Sequence, residues 1–560
     1  MEEKQLSDSI NLARQLFLEG NYVESKRLCL EILTKRPEDL NILYLLGQIS
    51  WELGSKEEAV SYFIKCTELN SHAVGAIRYI GIFFFEKKEY KLAIQSFLSI
   101  LSHKPDIISY QMLSIIYLLL GLTDESFTYA RNACSLDPKN KFLVQQMLIN
   151  SLFCDKLNCK DIFDLHLEWM DRQVESVTLF RSPQLSSRYL DKKIRIGYLC
   201  HDTFKQSVSF FFEPVIKNHD RQRFEIVIYA TYPEEDTYAQ RLKTYVDFWR
   251  NVSSLEEKEI AEIVYQDKID IFVDVTGHTA PGSNNKLLAF AYKPAPIQMS
   301  WLAYPATTGL RTIDYRITDE WADPVGMTEA YHIEKLIRIP QGFLCYQPEE
   351  ESPEIAGAPC ESNSHITFGC FTLQAKITPE VIRVWSSILQ SIENSELHLK
   401  YKHFQNPDVR SAFLERFTEN GIEESRIRFL DFQPLYRDHL ACYQHLDIVL
   451  DPFPYNGTTS THEALWMGVP VITLTGNDHR SRVGVSILTR LGLADLIADS
   501  IEDYIQIAVS LSKDKERIQE LRRTLRLKML NSPLTRAKEF TTQLEAEYSR
   551  LWKAFLETEA

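Results

Sequence analysis

Residues 447–474 read DIVLDPFPYNGTTSTHEALWMGVPVITL, and this stretch is the most informative one about the fold. Its apolar residues predict a buried strand that ends at Asp451, and a loop rich in Pro, Asn and Gly follows. A helix is then expected to begin near Ser460, with a second strand at 470–474. This order is typical of a doubly wound α/β sheet, whose ligands bind at the carboxyl ends of the strands.

The start of the predicted helix carries groups that suit a nucleotide. The hydroxyls of Thr458, Thr459 and Ser460 supply donors, and the helix dipole adds positive potential, so a diphosphate would be stabilised there. Glu463, one turn further on, can accept hydrogen bonds from ribose hydroxyls. The alternative is that Ser460 and Glu463 form a plain capping box, and the local pattern supports both equally.

Strands and helices alternate on both sides of this stretch, which predicts two doubly wound lobes at 193–350 and 364–535. A polar stretch with several prolines joins them, and a helix at 536–560 is expected to pack back across the lobes. The other predicted strands are 194–200, 224–230, 269–275, 297–303, 314–319, 366–371, 396–401 and 427–432.

The first part of the chain has an internal repeat. Two sets of turn residues recur at offsets of 34, 34 and 33: Pro37, Ser71, Pro105 and Pro138, and Gly20, Gly54, Lys88 and Gly121. Each unit predicts two amphipathic helices that stack on their neighbours, so residues 1–150 are expected to form a helical solenoid with a concave groove, followed by a helical linker at 151–192. The groove is expected to bind a polypeptide; a structural arm or a surface for self-association is the alternative.

Composition excludes several classes of protein. The formal net charge of −15 argues against non-specific nucleic-acid binding, which needs a basic surface. No apolar run approaches the roughly 20 residues of a membrane span, and the N-terminus lacks the pattern of a secretory signal. The ten cysteines form no C-x-x-C pair, so neither a zinc site nor a disulfide framework is expected. A cytoplasmic location is the resulting prediction.

Two further residues are candidates for binding a nucleotide. Lys376 follows a predicted strand and precedes a helix that Pro379 helps to start, where its charge can neutralise a departing diphosphate. His439 lies at the start of another helix, and its ring can lie against a base. The alternatives are a solvated surface lysine and a surface histidine.

Five motifs together resemble the O-linked N-acetylglucosamine transferase family, which includes the plant SPINDLY protein O-fucosyltransferases and many bacterial members. The similarity covers about residues 160–555, and helical repeats of the tetratricopeptide type usually precede this region in the family. The motifs are PYNGTTSTHEALWMGVPVITL, FGCFTLQAKITPEVIRVW, VDVTGHTA, KPAPIQMSWLAYPATTGLRTIDYRITD and SRVGVSILTRLGL.

The resemblance implies an inverting glycosyltransferase of the GT-B fold, a double Rossmann-like architecture. It would use a nucleotide sugar, UDP-N-acetylglucosamine first of all, and modify Ser or Thr of proteins without a metal or other cofactor. The absence of a D-x-D pair agrees with metal-free chemistry. In the family's pattern Lys376 stabilises the leaving group, and His166 or Asp202 receives the hydroxyl proton, unless a donor phosphate oxygen does. The implied donor-binding residues are Gln206, His439, Thr459, Ser460, Glu463, Ala303, Pro305 and Gln433.

This sequence departs from the family around the sugar. Gln206 replaces a histidine, Ala303 and Ala306 replace glycines, and Thr372 and Leu373 replace a pair of amides. The run QSVSFFF that begins at Gln206 is closer to the fucosyltransferase branch. Transfer of fucose from GDP-fucose, or of another hexose, is therefore the second hypothesis. An inactive scaffold that binds partners through its repeats is the third.

Overall fold

The computed structural model describes residues 2–180, 192–348 and 350–559. Residues 181–191 of the predicted linker, and residue 349 of the predicted first lobe, lie outside the described residues. The chain divides into two compact units. The first comprises Met1–Leu118, Thr128–Asp137 and Asn406–Asp408, and the second comprises Leu119–Phe127, Pro138–Gln405 and Val409–Ala560.

The predicted repeats are pairs of helices joined by tight turns. The turn residues Gly20, Gly54, Lys88 and Gly121 all have positive φ angles, of 79°, 79°, 61° and 71°. This left-handed conformation ends one helix and redirects the chain into the next, and it favours glycine. The helices are α1 Glu2–Leu18, α2 Tyr22–Lys35, α3 Leu40–Glu52, α4 Lys56–Leu69, α5 Val74–Glu86, α6 Tyr90–Leu101, α7 Ile107–Leu119, α8 Thr123–Leu136, α9 Lys141–Ser151 and α10 Cys159–Val174.

Glycine is also required where paired helices cross. A Cβ atom on Gly47 would lie 2.4 Å from the ring of Phe63, and one on Gly81 would lie 2.9 Å from the ring of Phe97. Both rings are fully buried, so neither can move aside without opening the core of the repeat.

The predicted boundary at residue 150 differs from the division of the molecule, in which residues from Pro138 onward belong to the second unit. The physical reason is apolar packing. Leu152 forms one cluster with Ile162 on α10 and with Tyr304 of the first lobe. The helices α9 and α10 therefore belong to the second unit rather than to the first.

The first lobe contains a seven-stranded parallel sheet in the order β3-β2-β1-β4-β5-β6-β7. Its central strands are buried on both faces, as expected for a parallel sheet covered by helices. The elements are β1 Ile194–Cys200, α11 Ser209–Asn218, β2 Phe224–Ala230, α12 Thr237–Lys243, β3 Phe248–Asn251, α13 Glu257–Gln266, β4 Ile271–Asp274, β5 Ile297–Ser300, β6 Tyr315–Thr318 and β7 Lys335–Arg338.

The second lobe contains a six-stranded parallel sheet in the order β10-β9-β8-β11-β12-β13. The elements are β8 Ile366–Cys370, α14 Pro379–Ser391, β9 Ser395–Leu399, α15 Pro407–Glu419, β10 Ile427–Phe429, α16 Tyr436–Ala441, β11 Ile448–Leu450, α17 Thr459–Trp466, β12 Val471–Leu474, α18 Val483–Arg490, β13 Ile497–Ala498, α19 Ile501–Lys513, α20 Lys515–Leu530 and α21 Ala537–Glu559.

Sequence analysis missed the strands β3, β7 and β13. All three lie at sheet edges, where one side of the strand faces away from the sheet. They are short and lack the continuous apolar run of a central strand.

Helix α21 returns from the second lobe to cover the first. Its Glu545 accepts a hydrogen bond from the His219 ring at 3.0 Å, and the hydroxyls of Tyr548 and Tyr198 lie 3.2 Å apart. All four side chains are buried. The chain therefore passes between the lobes twice.

The predicted architecture, a helical solenoid followed by two α/β lobes, is confirmed. In the described part of the chain, no helix combines the length and the apolar character needed to cross a bilayer.

Candidate active site

Asp451, which directly follows β11, organises the loop that leads into α17. Its buried carboxylate accepts hydrogen bonds from the Gly457 backbone N–H at 2.6 Å and from the Thr473 hydroxyl at 2.8 Å. These bonds fold the loop back onto the end of its own strand. Helix α17 therefore begins at the carboxyl edge of the sheet, where ligands of such sheets bind.

Lys376 lies beside this loop, because it follows β8, the strand adjacent to β11. Its Nζ atom donates to the Asn456 carbonyl oxygen at 2.7 Å and lies 3.7 Å from the centroid of the Tyr455 ring. Burial lowers the pKa of Lys376 below its ordinary value, and the Asp451 carboxylate opposes that shift. Burial likewise raises the pKa of Asp451. The structure thus holds a partly desolvated ammonium at the entrance to α17.

Glu463 lies one turn into α17 with its side chain buried. Its Oε1 atom accepts a hydrogen bond from the Tyr436 hydroxyl at 2.8 Å. Its Oε2 atom accepts from His439 Nε2 at 3.0 Å and from the Tyr443 hydroxyl at 3.2 Å. Burial acts to raise the pKa of Glu463, but the interaction with His439 and these three hydrogen bonds outweigh it and lower the pKa. Helix α17 begins without a side-chain capping bond, so the capping-box alternative is wrong.

His439 is oriented by a lysine on its other side. Its Nδ1 atom lies 2.5 Å from Nζ of Lys400, which directly follows β9 and is buried. An ammonium can only donate, so Nδ1 is the acceptor and the ring carries its proton on Nε2, facing Glu463. Both nitrogens on the edge of the His439 ring are thereby held, and the predicted contact with a base would use a face of the ring.

Asp202 lies at the carboxyl edge of the first sheet, just after β1. Its side chain is buried, and its Oδ2 atom has no hydrogen-bond partner among the described residues. Burial, with a smaller contribution from the Asp274 carboxylate, raises the pKa of Asp202 to about 7. Asp274 itself accepts hydrogen bonds from the Thr276 and Gly277 backbone N–H groups at 3.0 and 2.8 Å. An unpartnered carboxylate with a pKa near neutrality is suited to receive a proton.

His166, the other predicted base, is fully buried on α10. Its Nδ1–H donates to the Ile162 carbonyl oxygen at 2.7 Å, so its Nε2 accepts from the Tyr304 hydroxyl at 2.5 Å. Burial, together with the nearby His278 ring, lowers the pKa of His166 to about 3. No ring nitrogen is left for an acceptor proton. This geometry argues against His166 as the base and favours a role in orienting Tyr304, and both roles stay predictions.

The other first-lobe candidates lie on loops at the carboxyl edge of the first sheet. Gln206 is partly exposed just before α11. Ala303 and Pro305 follow β5, with Ala303 partly exposed and Pro305 buried. The backbone N–H of Ala303 donates to the Val275 carbonyl oxygen at 3.3 Å, which ties this loop to the end of β4.

The second-lobe candidates Thr459 and Ser460 open α17 and are partly exposed, as is Gln433 between β10 and α16. The Thr459 hydroxyl lies 3.5 Å from the Ser207 carbonyl oxygen of the first lobe. This contact places the start of α17 beside the loop that precedes α11, and His166 lies next to the loop of Ala303 and Pro305 through its bond to Tyr304. The individual roles of the candidates in binding stay predictions.

Sequence reasoning missed four residues that shape this site. Asp451 had a local signal, since an acidic residue directly after a buried strand lies at the ligand edge of a sheet. Lys400 had the same signal at the end of β9. Tyr436 and Tyr443 had no local signal, because the residue that their hydroxyls contact, Glu463, lies 27 and 20 residues away in sequence.

Comparison with known proteins agrees with this geometry. The model of glycosyl transferase family 41 matches residues 173–350 and 360–544, and the tetratricopeptide repeat model matches 40–72 and 107–140. The chain belongs to glycosyl transferase family 41. The family 41 match spans both lobes and therefore includes every residue of the candidate site except His166.

Among curated proteins, this family 41 chain is similar to the probable UDP-N-acetylglucosamine–peptide N-acetylglucosaminyltransferase SPINDLY of Oryza sativa subsp. japonica. The two are 40% identical over 429 residues, which cover 76% of this chain and 46% of that protein. The corresponding probable enzyme SEC of Arabidopsis thaliana is 31% identical over 372 residues, covering 64% of this chain and 37% of that protein. The chain spans about half the length of the curated relatives it matches.

Among solved structures, this family 41 chain is similar to a lysine-to-methionine mutant of the Thermobaculum terrenum O-GlcNAc transferase. The TM-score is 0.77 at 28% identity, and the match covers 100% of this chain and 99% of that one. The resemblance found in the sequence motifs is therefore confirmed at the level of family and fold.

Within residues 2–180, 192–348 and 350–559, no group of three or more His, Cys, Asp or Glu side chains is arranged to hold a metal ion. Metal-independent chemistry stays a prediction.

Proposed function

We propose that this chain is an inverting protein O-glycosyltransferase that moves N-acetylglucosamine from UDP-N-acetylglucosamine to Ser or Thr side chains, without a metal or other cofactor. One observation carries the proposal. The Lys376 ammonium lies 2.7 Å from the Asn456 carbonyl oxygen, in the loop that opens α17, and Glu463 follows one turn later. A cation, a helix N-terminus and a ribose-binding carboxylate thus share one edge of a sheet.

In the proposed reaction, the acceptor hydroxyl oxygen bonds to the anomeric carbon while the bond from that carbon to the diphosphate breaks. The electron pair of the broken bond stays on the diphosphate. Lys376 and the N–H groups at the start of α17 would stabilise this charge. Because a Ser or Thr hydroxyl is a weak nucleophile, catalysis rests on this stabilisation and on holding the two reactants in line.

The acceptor hydroxyl must also lose its proton. Asp202 is the proposed recipient, since its Oδ2 atom is unpartnered among the described residues and its pKa is raised to about 7. A donor phosphate oxygen is the remaining alternative. His166 is not proposed, because both of its ring nitrogens are engaged.

The donor sugar has one competing hypothesis. The names of the relatives favour UDP-N-acetylglucosamine. Gln206, Ala303 and Ala306, which replace a histidine and two glycines of the family pattern, favour GDP-fucose or another hexose donor. Thermal unfolding with UDP and with GDP tests the nucleotide, because a bound ligand raises the Tm by mass action. A shift with GDP alone would overturn the UDP-N-acetylglucosamine proposal.

The acceptor is proposed to be a polypeptide guided by the groove of the helical repeats, in the cytoplasm, with neither nucleic acid nor a membrane as a partner. Self-association through the repeats is the alternative use of that surface. Intact-mass measurement of an acceptor protein co-expressed with this chain tests the activity directly. An added N-acetylhexosamine supports the proposal, an added deoxyhexose supports the fucose alternative, and an unmodified acceptor with no nucleotide binding supports the scaffold.

A further inference from the structure

One contact joins the first lobe to the predicted ribose-binding carboxylate of the second. The ring of Phe210, on α11, stacks on the ring of Tyr436, on α16, with centroids 4.7 Å apart and planes 26° apart. The hydroxyl of the same Tyr436 donates to Glu463 at 2.8 Å. A single side chain therefore packs on one lobe and holds the binding group of the other.

The hydroxyl of Tyr436 is well fixed in this role. The Tyr346 hydroxyl lies 3.3 Å from it. Since the Tyr436 proton is directed to Glu463, Tyr346 must be the donor in that contact. Burial, with a contribution from Glu463, raises the pKa of Tyr436 well above its usual value, so the hydroxyl stays protonated and continues to donate.

Tyr436 differs from the other two donors to Glu463. The rings of His439 and Tyr443 pack on Phe371 and on each other, all within the second lobe. They bond to Oε2, whereas Tyr436 is the donor to Oε1. The Tyr436 ring also lies 5.8 Å from the His439 ring. A change in how the first lobe sits on the second would therefore act first on Oε1 of Glu463.

Phe210 is only 8% exposed, so little of its surface is available to contact a ligand. Its own backbone is fixed, because its carbonyl oxygen accepts from the Gln347 backbone N–H at 2.8 Å. Its contribution to binding would therefore pass through Tyr436.

We infer that Phe210 and Tyr436 are positioning residues that make nucleotide binding by Glu463 depend on closure of the first lobe onto the second. The inference rests on the proposed function, in which Glu463 binds the donor ribose. When the lobes separate, Tyr436 loses its stacking partner and Glu463 loses its fixed donor on Oε1. When they close, both contacts form, and the carboxylate is oriented for the ribose.

The test measures binding of UDP and GDP to the full chain by calorimetry for Tyr436→Phe, Phe210→Leu and the double variant. Tyr436→Phe keeps the stack and removes one hydrogen bond, so the Kd for the bound nucleotide is expected to rise about five- to tenfold. Phe210→Leu keeps the hydroxyl and removes the stack, with an expected rise of about three- to tenfold. The Kd of the double variant is expected to equal that of whichever single variant binds nucleotide less tightly, because both changes act through one contact.

Phe212→Leu is the matched control, because Phe212 lies on the same helix, is buried, and packs on Tyr198 and Trp301 within the first lobe. It is expected to lower the Tm without changing the Kd. In turnover assays, Tyr436→Phe and Phe210→Leu should raise the donor KM while kcat stays within about twofold, since neither residue faces the reacting atoms.

The inference is overturned if either single variant binds nucleotide as the wild type does, or if the two effects add in the double variant. A lower Tm at unchanged Kd would show a merely structural role and would also overturn it. These outcomes differ from failure of the proposed function, in which the wild-type chain binds neither UDP nor GDP.

Discussion

The ammonium of Lys376 and the carbonyl oxygen of Asn456, 80 residues apart in sequence, are joined by a hydrogen bond of 2.7 Å. This bond joins the loop after β8 to the loop after β11, a neighbouring strand, at the point where α17 begins. A diphosphate placed there would meet a positive charge already in position, and the predictions below follow from that arrangement and its surroundings.

Replacing Lys376 by Met should lower kcat by about 10²–10³-fold, the usual effect of removing one group that stabilises charge in a transition state. Release of nucleoside diphosphate from the donor measures the rate. Lys402→Met is the control, because Lys402 is exposed, and it should leave the rate unchanged. Unchanged turnover in the Lys376 variant would remove the basis of the proposed mechanism.

The dependence of kcat/KM on pH should be bell-shaped. Asp202 must be ionised to accept a proton, so the rate should rise as the pH passes through about 7, the raised pKa of this carboxyl. Lys376 must stay protonated, and because burial lowers its pKa, the rate should fall at a pH below the ordinary value for lysine. An acid limb near pH 4 instead would show that Asp202 is not the base.

Asp202→Asn should abolish the acid limb together with most of the activity, yet it should not destabilise the protein at pH 8. An acidic group whose folded pKa is raised opposes folding once the pH exceeds its unfolded pKa, about 4, and the full cost is present above about 7. The amide removes that cost. Thermal unfolding at pH 5 and pH 8 checks the sign; a variant that is clearly less stable at pH 8 than the wild type would contradict it.

His166→Asn should lower stability by about 1–3 kcal/mol, because it leaves the buried Tyr304 hydroxyl without its acceptor. The pH profile of the remaining activity should keep its shape, since the lowered pKa of His166, about 3, places its titration outside the working range. If the acid limb vanished in this variant while it persisted in Asp202→Asn, the assignment of the base would be reversed.

Gly484→Ala should lower kcat, although Gly484 is not proposed to contact the nucleotide sugar. The added Cβ would lie 2.2 Å from the Thr473 hydroxyl and 2.8 Å from Asp451 Oδ2, so it would displace the carboxylate beside Lys376. Overpacking of this kind costs about 1–3 kcal/mol in stability. Gly357→Ala is the control, because Gly357 likewise lacks a positive φ and its Cβ would meet only the exposed Glu361 side chain, at 3.3 Å. Equal activity in the two variants would show that the position of Asp451 does not matter.

Much of this site could be predicted from the sequence because its signals are local. Lys376, Asp451 and the start of α17 each follow a buried apolar strand, and the ends of parallel strands necessarily share one edge. Likewise, the left-handed turns at Gly20, Lys88 and their equivalents recur at fixed offsets, so the repeats needed no tertiary information.

What could not be predicted depends on partners distant in sequence. The family resemblance makes His166 a candidate base, but it gives no sign of the Tyr304 hydroxyl that bonds to its ring, 138 residues away in sequence. Tyr436 has no pattern around it that predicts either the stack on Phe210 or the bond to Glu463. These contacts become visible only once α10 is packed on the first lobe and the two lobes are folded against each other.

The return of α21 to the first lobe has a consequence for biosynthesis. A ribosome releases Tyr198 and His219 long before it translates Tyr548 and Glu545, which cover them. Part of the apolar surface of the nascent first lobe therefore stays exposed until the second lobe has emerged from the ribosome. We expect chains stopped by a premature termination codon before Ala537 to be recognised by chaperones and proteases, even though every strand of both sheets has been made.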